Sequence, residues 1–220
     1  MIKLDNVTFA FPDTEVLNNV SFQLNDGEFI GILGPNGGGK STFLKLVLGL
    51  LKPQSGKIEV SDKNISYISQ TTSLSDASFP ATVKEIVSLG LSKNKPFFLH
   101  HKEHKEKVDE ILKEMNLYDI RNKLISDLSG GQLQRVKIAK ALISSPSLII
   151  LDEPDAGMDE KGHDHLISII NKLHKENRSI LFVSHHPEDL EHADKIYFIE
   201  SGEILPYEHE LNRGHHHVTL

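Results

Sequence analysis

Apolar and polar positions alternate from the first residues: Ile2, Leu4, Val7, Phe9 and Phe11 follow the two-residue period of a half-buried strand. A second strand is expected over residues 16–24, and Asn25-Asp26-Gly27-Glu28 reads as a turn, because Asp-Gly tolerates positive φ. Phe29-Ile30-Gly31-Ile32-Leu33 is apolar throughout, as in a buried strand, and Phe43, Leu44, Val47 and Leu48 then mark a helix over about residues 39–49. Strands are expected at 57–60 and 65–69. The texture then changes: residues 71–79 are polar and loop-like, while 82–91 and 102–115 have helical periodicity. Residues 79–146 read as a helical insertion in an α/β core, ending with a helix over 131–144 that carries Val136, Ile138, Ala139, Leu142 and Ile143. Beyond it come an apolar strand at 148–151, a helix at 159–175 and strands at 179–183 and 195–200. Strands alternating with helices imply a mostly parallel sheet.

The chain of 220 residues is long enough for one packed domain with a subdomain. Its 24 basic and 31 acidic side chains give a formal charge of −7, which disfavours nucleic acid as the main partner, since phosphate backbones attract basic patches. With no cysteine, disulfides and thiolate metal sites are excluded, which suits a reducing compartment. No charged-then-apolar leader opens the chain, and no apolar run approaches the ~18 residues of a membrane span. The expectation is a soluble chain that reaches a membrane only through a spanning partner.

Candidate chemistry enters at Gly34-Pro35-Asn36-Gly37-Gly38-Gly39-Lys40-Ser41, directly after the apolar strand. The pattern is that of a loop whose backbone N–H groups surround a nucleotide's phosphates. Glycine lets the amides turn inward where a Cβ would block the approach, and the helix that follows offers its positive end to the anion. Lys40 adds a point charge at the outer phosphates, and the Ser41 hydroxyl, with Thr42 beside it, is positioned to ligate Mg²⁺. An ordinary glycine turn is the competing reading; the preceding strand, the Lys-Ser pair and the periodic helix behind it weigh against that.

A second signature, Leu128-Ser129-Gly130-Gly131-Gln132 followed by Gln134-Arg135, lies about twenty residues ahead of Leu148-Ile149-Ile150-Leu151-Asp152-Glu153. With both signatures present, the chain resembles the ATP-binding cassette ATPases, the nucleotide-binding subunits of transporters, from about residue 2 to residue 205. The resemblance implies an α/β fold: a P-loop NTPase core with a mostly parallel sheet, an N-terminal antiparallel β subdomain and an inserted α-helical subdomain. On that pattern the core covers about 1–78 and 146–205, the insertion about 79–145, and a His-rich tail about 206–220.

The same resemblance assigns roles. Asp152 matches the carboxylate that holds Mg²⁺, and Glu153 the general base for the attacking water. Gln70 matches a glutamine that touches Mg²⁺ and that water, and His185 a histidine that hydrogen-bonds the γ-phosphate. Phe11 stands where the family stacks an aromatic ring on adenine, with Phe9 the core member of the pair. Ser129, Gly130, Gly131 and Gln132 start a helix that, in the family, meets the ATP held by the other subunit; Asp159 matches an aspartate that communicates between the two sites. A cytoplasmic homodimer with two sandwiched ATP molecules follows, held on the inner face of the membrane by integral-membrane permease subunits and working with a substrate-binding protein. Three positions depart from the pattern: Asp155 adds a carboxylate, Lys140 replaces a common arginine, and Gly38 makes three consecutive glycines.

The cargo is less direct. The segment Phe79-Pro80-Ala81-Thr82-Val83-Lys84-Glu85-Ile86-Val87 is similar to that in zinc and manganese importer ATPases. The chain also holds 13 histidines, with His100, His101 and His104 in the insertion and His209, His215, His216 and His217 in the tail. A divalent metal ion is the expected cargo. The alternatives are an importer ATPase for another substrate, or a soluble cassette ATPase outside transport.

Overall fold

The computed structural model describes residues 1–62, 64–69, 80–91 and 101–207. In chain order the elements begin β1 (Ile2–Phe11), β2 (Thr14–Leu24), β3 (Phe29–Leu33), α1 (Lys40–Val47), β4 (Ser55–Val60), β5 (Ile65–Ile68) and α2 (Val83–Ser88). They continue α3 (His101–Glu114), α4 (Gly130–Leu142), β6 (Leu148–Asp152), α5 (Glu160–Lys175), β7 (Ser179–Val183), β8 (Lys195–Glu200) and β9 (Glu203–Pro206). The chain groups into two compact units, one drawn from Met1–Lys63 and Asn177–Leu220, the other from Asn64–Glu176.

In the first unit β1 lies between β2 and β4, antiparallel to both. Ile2, Leu4, Val7 and Phe9 are buried, as the alternation predicts. The step from even to odd positions after Leu4 is a register shift between Leu4 and Val7, at Asn6 with φ 50°. The extra residue turns the apolar side chains back onto one face. A second layer has β3 between β7 and β8, parallel to both, with β9 antiparallel on the edge of β8. Every residue of β3 and β7 is buried, and Phe29 stacks on Phe182 with centroids 6.5 Å apart. That central position explains the unbroken apolar runs. Phe43 of α1 meets Phe22 of β2 edge-on at 5.1 Å.

In the second unit β5 and β6 pair in parallel, Ile65 opposite Leu148 through Ile68 opposite Leu151. Helix α4 buries Val136, Ile138, Ala139 and Leu142, and the Ser66 hydroxyl donates to the Ala141 carbonyl at 2.7 Å, tying β5 to that helix. Helix α5 buries Leu166, Ile169 and Ile170.

The observed pairing is mostly parallel with an antiparallel N-terminal sheet, as the α/β reading implied. Two elements differ from expectation. The helix expected over 82–91 stops at Ser88 and tightens into a 3₁₀ turn at Leu89–Leu91. A Cβ at Gly90 would lie 2.1 Å from the Lys140 carbonyl oxygen, so glycine permits a close backbone approach to α4 there at the expense of helix propensity. Strand β9 was not expected at all. The loop expected over 71–79 and the His-rich tail from residue 208 lie outside the described residues. Among the described residues no helix is long and apolar enough to cross a membrane.

Candidate functional site

The predicted phosphate loop runs from the end of β3 into α1. Its backbone is held where side chains have no room: a Cβ at Gly34 would lie 2.2 Å from the Ile199 carbonyl oxygen, and one at Gly38 2.9 Å from the same oxygen. Gly39 is the N-cap of α1 with φ 103°, and no side chain caps that helix start. The first turn of α1 therefore presents backbone N–H groups with the positive end of the helix dipole behind them. Lys40 is 5% exposed, and its ammonium donates to the carbonyls of Gly34 at 2.9 Å and Pro35 at 3.1 Å. Pro35, Asn36, Gly37 and Ser41 are exposed, with Thr42 half-buried.

Two further candidates belong to the same unit. Phe11 closes β1 with its ring 47% exposed, edge-on to Phe9 at 5.1 Å and 89°, whereas Phe9 is buried. His185 is exposed just past β7. Sequence reasoning missed what fixes its segment: the buried Ser184 hydroxyl donates to Asp189 at 2.5 Å and accepts the His186 N–H at 3.0 Å.

The acidic candidates belong to the other unit. Asp152 ends β6 and is 6% exposed; Tyr67 of β5 donates its hydroxyl to that carboxylate at 3.2 Å. Burial, together with the negative charge and hydrogen bond of Asp152, pushes the Tyr67 phenol well above its ordinary range, so it stays a protonated donor. Glu153 lies one residue past the strand with φ +48°, a left-handed conformation that costs a glutamate on the order of 1–3 kcal/mol. It also precedes Pro154, whose ring steers the preceding residue toward extended backbone. A turn follows, closed by Met158 N–H donating to the Asp155 carbonyl at 2.9 Å, and Asp155 lies 3.4 Å from the imidazole of His163 on α5. Asp159 caps α5, accepting the Gly162 N–H at 3.1 Å.

The signature residues begin α4. Ser129 is the N-cap: its hydroxyl accepts the Gln132 N–H at 3.3 Å, and the Gln132 side chain accepts the Ser129 N–H at 3.1 Å, a reciprocal capping box. A Cβ at Gly131 would lie 2.8 Å from the Gly157 carbonyl oxygen, so the start of α4 packs directly on the turn after Glu153. Gln134, 3% exposed, donates its amide to the Pro154 carbonyl at 2.7 Å. This contact too was missed, although its signal was available. Residues 134, 138 and 142 share one stripe of the helix, and the other two are Ile138 and Leu142, so an amide there is a buried polar group requiring a partner. Gln70 lies outside the described residues.

Each candidate ligand, taken by itself, is an oxygen donor of the kind Mg²⁺ takes: the exposed Ser41 hydroxyl in the first unit and the buried Asp152 carboxylate in the second. Among the described residues no group of three or more histidine, cysteine or acidic side chains is clustered for metal binding.

The profile of the ABC transporter family matches residues 17–156, a stretch that includes both the glycine loop and the capped signature helix. The chain belongs to the ABC transporter family. It is an ATP-binding ATPase of that family. The zinc uptake system ATP-binding protein ZurA of Listeria monocytogenes is 41% identical over 197 residues, covering 84% of this chain and 76% of the relative. The high-affinity zinc uptake system ATP-binding protein ZnuC of Bacillus subtilis is 37% identical over 213 residues, 92% of each chain. Among solved structures, the dimeric post-hydrolysis state of the cassette MJ0796 bound to ADP and Pi is similar at a TM-score of 0.81 and 29% identity. That likeness covers 93% of this chain and 96% of that one.

Proposed function

We propose that this ABC ATPase powers import of a divalent metal ion, zinc or manganese, as the nucleotide-binding subunit of a transporter. The observation that carries the reading is the presence, in one chain, of an open glycine-capped helix start and a serine-capped signature start. The metal cargo is supported by the likeness to two zinc uptake ATP-binding proteins over 84% and 92% of this chain.

In this reading the amides of Gly37, Gly38 and Gly39 with Lys40 and Thr42 hold the phosphates of ATP, and Phe11 lies against the adenine. Ser41, Asp152 and Gln70 hold Mg²⁺, which, when bound, neutralises charge developing on the phosphates. Glu153 accepts the proton of the attacking water, and His185 hydrogen-bonds the γ-phosphate. Ser129, Gly130, Gly131 and Gln132 of a second copy close on that phosphate, so two ATP molecules join a homodimer, with Asp159 communicating between the halves. The dimeric state of MJ0796 with ADP and Pi supports this assembly. The dimer docks on permease subunits at the inner face of the membrane and serves a substrate-binding protein; nucleic acid is not a partner.

The test is Glu153→Gln. ATP turnover is expected to fall by about 10²–10⁴, the usual worth of general acid–base catalysis, while ATP binding and dimer closure persist. Normal phosphate release by that variant would remove Glu153 from the role. For the cargo, vesicles holding the chain with its permease are expected to take up Zn²⁺ or Mn²⁺ only when supplied with ATP; uptake of neither ion would refute the metal assignment.

A further inference from the structure

The reading of Glu153 as the base leaves a question that its backbone raises. A glutamate at φ +48° ahead of a proline does not hold itself in place, and something in its surroundings must select that conformation. A buried side chain that reaches this turn from outside it, next to Glu153, is Gln134. Its side-chain amide is buried at 3% exposure and donates to the carbonyl of Pro154, the residue after Glu153, at 2.7 Å. A buried hydrogen bond of that length fixes the orientation of the peptide it meets, because breaking it leaves both a donor and an acceptor without water. The stripe position of Gln134, in line with Ile138 and Leu142, keeps solvent away from the bond. Four residues earlier on the same helix is Gly130, and beside it Gly131 packs on Gly157 at the far side of the turn. The turn is thus gripped at both ends by the helix whose tip carries the signature.

We propose that Gln134 is a positioning residue for hydrolysis: its amide, by donating to the Pro154 carbonyl, holds Glu153 in the left-handed conformation from which the carboxylate serves the attacking water. The inference rests on Glu153 being the base. It assigns Gln134 no contact with nucleotide or water; Gln134 acts on the rate only through the backbone on which Glu153 stands.

The test compares Gln134→Met, which keeps length and removes the donor, in the original chain and in the Glu153→Gln background. Turnover and ATP affinity are measured for all four proteins, with melting temperature recorded alongside. In the original background Gln134→Met is expected to lower kcat at least tenfold with KM for ATP changed less than twofold. In the Glu153→Gln background it is expected to cost less than twofold more, because there is no base left to misplace. An equal fold-loss in both backgrounds, an unchanged kcat, or a loss carried by KM would overturn the proposal while leaving the base assignment intact. A Glu153→Gln chain that turns over normally would instead remove the base, and the proposal with it. If Gln134→Met is recovered unfolded, Gln134→Leu, which also carries no donor, is judged by the same two comparisons.

Discussion

Two helix starts in this chain carry the marks of phosphate binding, and they are built in opposite ways. Helix α1 begins at Gly39, in a backbone conformation open mainly to glycine, with no side-chain cap hydrogen bond. Helix α4 begins at Ser129, where a capping box engages the Gln132 N–H with the serine hydroxyl and the Ser129 N–H with the glutamine side chain. The first start has no side-chain cap to displace. The second is capped in part, and to take the Gln132 N–H a phosphate must offer at least as much as the Ser129 hydroxyl already gives. In the proposed assembly the difference separates a cradle that holds nucleotide in a single copy from a tip that engages only when a second copy brings the phosphate to it.

The contrast can be broken most forcefully at α1. Replacing Lys40 by alanine removes the ammonium that the proposed reading places on phosphate and is expected to weaken ATP binding by about tenfold to hundredfold in a titration with labelled nucleotide. Unchanged affinity would mean that the open start is not the cradle. The substitution Ser129→Ala removes the cap of α4 and is expected to cost about 1 kcal/mol of stability, seen in the denaturation midpoint. Its affinity for ATP as a single copy should not change, whereas ATP-driven dimerisation in the Glu153→Gln background should weaken. If dimerisation is untouched, α4 has only a cap there and the comparison collapses.

The smallest effect is expected at a third start, α2, which serves as the control. Glu85 accepts the Thr82 hydroxyl at 2.6 Å and the Thr82 N–H at 2.7 Å, and these bonds hold its carboxyl below the usual range. Because the folded value is the lower one, their contribution is present above the ordinary glutamate pKa and is lost as pH falls through the lowered value. The Glu85→Gln chain should melt slightly below the original at neutral pH, with the gap closing in acid; a gap independent of pH would contradict the assignment.

Much of this was legible in the chain itself. The strands β3, β6 and β7 are buried along their whole length, and the apolar runs at 29–33, 148–151 and 180–183 announce that directly. The glycine loop and the serine cap were legible because backbone geometry constrains residue type at a helix start. Strand β9 was not, since it has four residues, only Ile204 half-buried among the apolar ones, and lies at the sheet edge in an antiparallel pairing with β8 that no periodicity records. The bond from Tyr67 to Asp152 joins residues 85 apart on adjacent parallel strands, where register decides contact and local sequence is silent. Gln134 occupies the middle ground: its helical stripe marks it as buried, but only the fold supplies the Pro154 carbonyl it meets.

The narrow gap between Gly131 and Gly157 limits how this cassette can be re-engineered. With the Gly157 carbonyl oxygen 2.8 Å from where a side chain would begin, no larger residue fits at 131 unless the facing turn retreats. A signature helix grafted from another ATPase would therefore have to travel with the donor's own segment from 153 to 158, as a matched lock and key. Hybrids that exchange one without the other are expected to fold with a displaced carboxylate at 153.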